Sequence, residues 1–410
     1  MSNQIKPNNV FEQDPHDPEF FSDPYSRYSQ WHDLAAPIFW KGYDFWCLLN
    51  YNAVNRVLRD RRFARLPPPE APEQAAPVHL QDFAIAEKYS LLCMEPPDHT
   101  RLRKQVNRAF VSHQVGRLTP TITAMAHDCI DGFESQNSVE LLQCYATPIP
   151  LNVITQLLGV PSSAGAQLVA WSHAMVRVYT LTQTHEEEVL ANKAATEFRK
   201  FLQEVLKEKQ LHPGDDLLSQ LLAIRAADQT MSEEKIISVT ILLLNAGHEA
   251  TVHQLGNAIY ILLQQYSGSR RALLNSALKD DAKAEEIVAE CLRYAPPLHM
   301  FTRYAQEHLT LEGGIELAPG DQVALLLAAA NRCPQQFDQP NQFIPGRADA
   351  AHLALGAGIH YCVGAQLSKL ELRIALQVLF QRLPNLELMD KPSYLDAYHF
   401  HGLEELHVRW

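Results

Sequence analysis

The sequence predicts a mainly α-helical protein with small β-sheets at its margins, an α+β chain, and three observations carry that reading. Apolar residues recur at helical spacing from about 100 to 383. Glycine and proline stay out of these runs and gather between them. Two stretches, 37–50 and 308–328, instead alternate in β fashion around glycine turns. No internal repeat, low-complexity tract or linker interrupts the 410 residues. One unit over 1–410 is therefore expected, β-rich near 37–65, near 305–328 and in strands close to the C-terminus, and helical elsewhere.

Taken in order, 37–50 reads as a hairpin because aromatics at 39, 40, 43, 45 and 46 surround Gly42. The segment 66–98 follows, with prolines at 67, 68, 69, 72, 77, 96 and 97. A connector of that length reads as a functional lid. Among the helices after 100, the longest is expected from 232 to about 265, opened by a capping box of Thr230 and Glu233. At 1.5 Å per residue it spans ~45 Å. A later helix carries Glu290-Cys291-Leu292-Arg293 and is stopped by Pro296-Pro297. Turns at Gly313-Gly314 and Pro319-Gly320 organise the second β region, a helix covers 365–383, and short strands follow 386.

Composition removes several classes of function. With 47 acidic against 35 basic residues the net charge is −12, the opposite of the basic footprint that a nucleic-acid binder needs. No apolar run approaches the ~18 residues of a membrane span. The first fifteen residues lack the layout of a signal peptide, so a cytoplasmic location is expected. The seven cysteines, at 47, 93, 129, 144, 291, 333 and 362, form no CxxC or CxxCH. That speaks against a disulfide framework, a zinc site and covalent c-type haem attachment.

Three local anomalies carry chemistry. The first is Leu355-Gly356-Ala357-Gly358-Ile359-His360-Tyr361-Cys362-Val363-Gly364, placed just before a helix. Its glycines permit close approach to a bulky group, and a cysteine at a helix entry meets free N–H donors and the positive dipole end, which favour thiolate. A glycine-rich turn around a structural thiol explains the string equally well. The second is Asn245-Ala246-Gly247-His248-Glu249-Ala250-Thr251, in the middle of the longest helix. Small residues there let a flat ligand lie against the helix, while a carboxylate in an apolar stretch costs desolvation. His248-Glu249 begins like the HExxH of zinc proteases, but the next histidine is His253, ~140° further round the helix, which excludes that motif. A kinked core helix with a solvated Glu249 is the plain alternative. The third is the i, i+3 pair Glu290 and Arg293, which by itself reads as a surface ion pair. His99 and Arg103, at i, i+4, share a helix face suited to a carboxylate.

These motifs, in this order, resemble the cytochrome P450 family of haem-thiolate monooxygenases, in its soluble bacterial form, and in motif terms the resemblance runs over 98–410. It implies the P450 fold, with haem between the long central helix and the cysteine-loop helix. The family loop FGxGxHxCxG appears as LGAGIHYCVG, with Leu355 in place of phenylalanine. The resemblance implies that Cys362 is the metal ligand, the axial thiolate of a non-covalent haem b (iron protoporphyrin IX). It also implies cofactor contacts from His99, Arg103, Arg303, His360, Ala246, Gly247, Gly356 and Gly364. Glu290 and Arg293 match the ExxR pair, joined by Arg347 in a structural triad.

Catalysis is implied at Glu249, Ala250 and Thr251. Family members usually carry threonine where this chain has Ala250; Thr251 is one residue later and ~100° round the helix. Water or a substrate hydroxyl is expected to deliver protons instead, with Thr251 plus water as the plainer route. The implied reaction inserts one oxygen atom of O2 into a small organic substrate, by hydroxylation, epoxidation or O-demethylation. A peroxide-driven or phenol-coupling oxidase is the alternative, and a haem-based sensor ranks last. The substrate pocket is expected to draw on the 66–98 lid, Val178, Leu298, His299, Met300, Tyr398, His399 and Phe400. Its polar members lean toward an oxygenated substrate unless they pair elsewhere. No flavin or nicotinamide module fits in the chain, so electrons from NAD(P)H are expected through a separate ferredoxin and ferredoxin reductase. Arg101, Lys104, Arg108, Lys369 and Arg373 are candidates for the docking face.

Overall fold

Burial alternates along the first β region, with Ile38 and Trp40 buried and Phe39 between them half-buried, so one face of the hairpin is committed to the core. The structure is a computed structural model that describes residues 9–71, 75–108, 110, 115–179, 183–228 and 230–410. It opens with β1 (Val10–Phe11), α1 (Pro18–Ser22), α2 (Pro24–His32), β2 (Ile38–Trp40), β3 (Phe45–Leu48), α3 (Tyr51–Arg59), β4 (Phe63–Ala64), α4 (Gln81–Glu87) and α5 (Asp98–Asn107). The helical body contains α6 (Thr119–Asp131), β5 (Ser138–Glu140), α7 (Pro148–Leu158), α8 (Gly165–Arg177), α9 (His185–Leu211), α10 (Leu217–Ala227), α11 (Glu233–Gln265), α12 (Arg271–Ala277) and α13 (Asp281–Tyr294). It closes with β6 (Met300–Ala305), β7 (Leu309–Leu311), β8 (Ile315–Leu317), β9 (Gln322–Leu326), α14 (Leu327–Ala330), α15 (Ala365–Arg382), β10 (Glu387–Leu388) and β11 (His407–Arg409).

The strands assemble into a six-stranded sheet in the order β1-β2-β3-β9-β6-β4, a three-stranded sheet β10-β11-β5 and the β7–β8 hairpin. Parallel pairing of β3 with β9, Trp46 opposite Val323, joins the two β regions that lie far apart in sequence. Three buried clusters follow. The largest lies among the helices, a second beneath the sheet and α3, and a third is an aromatic group around Tyr28, Trp31, Trp40 and Tyr398.

Helix α11 runs through the largest cluster for ~50 Å as one continuous helix. Its cap differs from the expected box. Ser232 accepts the Lys235 N–H at 3.2 Å, while Glu233 turns to Arg225 at 2.8 Å. Ser232 and Thr230 are both able caps, and the one adjacent to the first turn takes the role. Gly247 has a packing reason, since a Cβ there would lie 3.0 Å from Ile154 of α7. The missing side chain admits the crossing helix.

The proline-rich stretch 66–98 is more ordered than a long connector. Residues 72–74 lie outside the described residues; beyond them a 3₁₀ turn (Val78–Leu80) leads into α4. The Phe83 N–H donates to Asn192 Oδ1 at 3.0 Å, and the Thr196 hydroxyl donates to Asp82 at 2.7 Å. These bonds to α9 hold a helix too short to persist alone. No described helix is long and apolar enough to cross a membrane.

Candidate active site

Cys362 sits in a loop that closes on itself, its N–H donating to the Leu355 carbonyl at 2.9 Å. Gly358 has φ +71°, and a Cβ there would run into the Leu58 carbonyl oxygen at the end of α3. Glycine is therefore required for the loop to pass α3. The loop ends at Gly364, which caps α15 and has open space beside it. Burial pushes the Cys362 thiol up, while the Gly364 N–H, Arg103 and Lys369 pull it down.

A buried brace anchors the segment leading to this loop. Glu290 accepts two bonds from Arg293 at 2.8 Å, one from Arg347 at 3.0 Å and one from the Ile344 N–H at 2.7 Å. Arg293 also donates to the carbonyls of Asn331, Pro340 and Gln342 at 2.9–3.0 Å. Asn331 Oδ1 in turn accepts the Leu353 N–H at 2.7 Å, at the start of the cysteine loop. Far from being a surface pair, Arg293 is 1% exposed. Leaving either partner alone at such a site costs several kcal/mol.

Beside the loop, two arginines and a pair of imidazoles gather around Glu95. The rings of His99 and His360 lie 4.4 Å apart, and neither nitrogen of buried His99 has a partner. Arg303 is 2% exposed, and its guanidinium donates to the Thr302 carbonyl. Burial and the neighbouring Arg65 push Arg303 down to about 9. Glu95 is the acid that faces this group; burial pushes it up, but His360 and the Arg65 N–H hold it below the usual carboxylate range. A ligand bearing carboxylates would supply what these cations and orphaned imidazole nitrogens lack. The residues thus fit an iron porphyrin with its two propionates. Arg103 departs from this group and donates to the Tyr361 carbonyl on the cysteine loop. Arg65 and Glu95 escaped sequence reasoning, since neither belongs to a motif and only the fold brings them here.

On α11, Ala246 is exposed and Gly247 and Ala250 are half-exposed in the midst of a helix otherwise buried. Ala246 and Ala250, at i, i+4, share a face, so small side chains line the accessible stretch of α11. Glu249 faces away toward α8. Its Oε1 lies 3.3 Å from the Ser172 hydroxyl and 3.1 Å from His173 Nε2. Burial pushes this carboxyl up to about 7, against the lowering effects of Ser172 and Arg177. Thr251 is buried one residue on.

Of the expected pocket residues, several point elsewhere. The Tyr28 hydroxyl lies 3.0 Å from His299 Nδ1 and 2.9 Å from the Tyr398 hydroxyl, inside the aromatic cluster. The His399 ring packs against Tyr43 and Tyr398. Met300 is buried in the same cluster. The Tyr28 and Tyr398 hydroxyls and His299 Nδ1 are satisfied within the core, whereas His299 Nε2 and His399 Nε2 are buried without a partner. Leu298 and Phe400 form a bridge and are half-buried, as is Val178 at the end of α8. On the basic face, Arg373 is turned against Asp281 at 2.6 Å and is largely withdrawn from solvent, whereas Lys104 is exposed.

Comparison with known proteins agrees with this geometry. A family model described as "Cytochrome P450" matches residues 277–398. The chain is 33% identical to the "Biotin biosynthesis cytochrome P450" of Bacillus subtilis (strain 168) over 95% of this chain and 97% of that protein. It is 32% identical to "Cytochrome P450 monooxygenase PikC" of Streptomyces venezuelae, over 96% and 92% of the two chains. Among solved structures, P450BioI in complex with hexadec-9Z-enoic acid ligated acyl carrier protein superposes with a TM-score of 0.87 at 30% identity, covering 96% of this chain and 100% of that one.

Proposed function

The chain belongs to the cytochrome P450 family of haem-thiolate monooxygenases, and from that premise we propose that Cys362 binds the iron of haem b and that 1–410 works as one unit on a small organic substrate, by hydroxylation, epoxidation or O-demethylation. When bound, the haem supplies dioxygen activation, which a thiolate ligand drives toward O–O cleavage. Arg303, His99 and His360 hold its propionates, with Arg65 adding charge. The observation that carries this assignment is the buried cluster of cations and unpartnered imidazole nitrogens beside the Cys362 loop. Gly356 and Gly364 keep backbone close to the cofactor, and Ala246 and Ala250 leave space on the other side. Glu290, Arg293 and Arg347 fix the loop without touching it. The reduced, carbon-monoxide-bound protein should show the strongly red-shifted Soret band of a thiolate ligand, lost in Cys362→Ser. A histidine-like band in the parent protein would overturn the assignment.

Proton delivery follows from Glu249. A carboxyl poised near 7 can both take and give a proton at neutral pH. Ala250 offers no hydroxyl to pass it on, and an ordered water or a hydroxyl on the substrate completes the path. Electrons come from NAD(P)H through a ferredoxin and its reductase, docking where Lys104 and Lys369 lie and without Arg373. Deoxy analogues of the substrate should then yield less product per NAD(P)H consumed and release more peroxide, by a few-fold. Equal coupling for both would remove the substrate hydroxyl from the path and leave water.

A further inference from the structure

Ser172 and His173 of α8 lie over the middle of α11, and three histidines converge there on one carboxylate. Glu249 Oε1 is 3.1 Å from His173 Nε2 and 3.8 Å from His248 Nδ1. His253 Nε2 faces the other oxygen, Oε2, at 3.8 Å. One ligand atom each of His173, His248 and Glu249 falls within 4.8 Å of the other two. His248 is 2% exposed and neither of its ring nitrogens has a partner. A buried imidazole left unsatisfied on both sides is costly, and here it is aimed at a carboxylate already approached by a second imidazole. The side chain of His173 is 59% exposed, which gives the cluster an opening to solvent.

We propose that His173, His248 and Glu249 form a site for a divalent transition-metal cation, zinc by its donor set, which ties α8 to α11 and slows turnover by occupying the carboxylate. Two imidazole nitrogens and one carboxylate oxygen are the ligands of zinc sites that keep a fourth position for water. The ligands come from two helices, so the bound ion crosslinks them at the mid-point of α11. The inhibitory half rests on the reading of Glu249 as the proton carrier; the binding half does not. The site is separate from Cys362, and its ion has no part in the redox chemistry.

The described residues contain a second grouping of the same kind, His79, His185 and Glu188. There His79 is already bonded to Glu188 at 2.7 Å and all three are at least partly exposed, which makes it the natural control. Zinc chloride is titrated into the haem-loaded protein in equilibrium dialysis, with His173→Gln, His248→Gln and His79→Gln alongside. One micromolar equivalent is expected in the parent and in His79→Gln, weakened at least tenfold in His173→Gln and His248→Gln. His173 is exposed, so its variant folds even where His248→Gln does not. Equal uptake by the parent and His173→Gln overturns the site. In turnover assays zinc should inhibit the parent, a chelator should restore it, and His173→Gln should need about tenfold more zinc. Zinc held at the site with turnover undiminished would keep the site and overturn both the inhibition and the role of Glu249 in proton delivery.

Discussion

Glu290 and Glu249 are both buried carboxylates inside long helices, 4% and 5% exposed, and their surroundings have little in common. Glu290 faces two guanidiniums and a backbone N–H, and each arginine goes on to bind carbonyls of the 331–342 segment. Glu249 faces a hydroxyl and imidazoles, and burial lifts its carboxyl to about 7. Glu87, which also lies on this side, is pushed up to about 7 by burial, although the Tyr179 hydroxyl donates to it at 2.9 Å. One region spends its charges on rigidity beneath the cysteine loop. The other keeps protonatable groups near neutrality, where a proton path needs them.

The largest effect that would test this contrast is removal of the brace. Arg293→Ala removes two of the bonds that Glu290 accepts and strips donors from three carbonyls, at a cost of about 3–5 kcal/mol. Little folded, haem-loaded protein should accumulate, as read from the yield and the haem absorbance per chain. Arg293→Lys should recover only part of it, because one ammonium cannot span the two carboxylate oxygens and the loop carbonyls. A variant with the parent's unfolding midpoint would show that the brace is dispensable and end the comparison.

Glu87 tests the other side through pH. Its folded carboxyl titrates at about 7 against an ordinary 4.5, so the folded chain keeps a proton that the unfolded chain has released. The resulting stability is fully present below about pH 4.5 and is lost as the pH rises through 7, up to about 3 kcal/mol. Glu87→Gln keeps an acceptor for Tyr179 and cannot ionise. Urea midpoints taken from pH 5 to 8 should therefore slope less for the variant, which should be the more stable protein at pH 8. Parallel slopes would mean that Glu87 is solvated in the native state.

The same two regions differ in how far the sequence discloses them. The cysteine loop, ExxR and Arg347 are legible through the family resemblance, whereas by themselves Glu290 and Arg293 read as a surface pair because their further partners lie 38–57 residues on. Continuity of α11 is legible from its apolar run, but the reason for Gly247 is not, because Ile154 comes from another helix. Ser172 and His173 carry no motif, and nothing in α8 announces that it will cover Glu249. Likewise 66–98 reads as a connector, since the bonds that order α4 come from Asn192 and Thr196 more than a hundred residues away. What long-range packing decides, local pattern cannot show. Direction is the sharpest case: the resemblance places Tyr398 and His299 near the pocket but does not say which way their polar tips turn.

Tyr398 supplies the smallest of these tests. Its hydroxyl meets Tyr28, and its ring packs on Phe20 and Trp40 in the aromatic cluster. Tyr398→Phe keeps the packing and removes one acceptor, while Tyr28 retains His299 Nδ1 at 3.0 Å as its alternative. The loss should be about 1 kcal/mol of stability. Substrate affinity, followed by the optical shift of the bound haem, should not change. Phe400→Ala, at the half-buried bridge to Leu298, should do the reverse and move affinity several-fold with less effect on folding. If Tyr398→Phe weakened substrate binding tenfold and left the unfolding midpoint in place, the hydroxyl would have to reach the pocket, and a polar substrate would again be favoured. An unchanged affinity keeps Tyr398 with the rigid region, where it acts as a buried partner of Tyr28 and makes no contact with substrate.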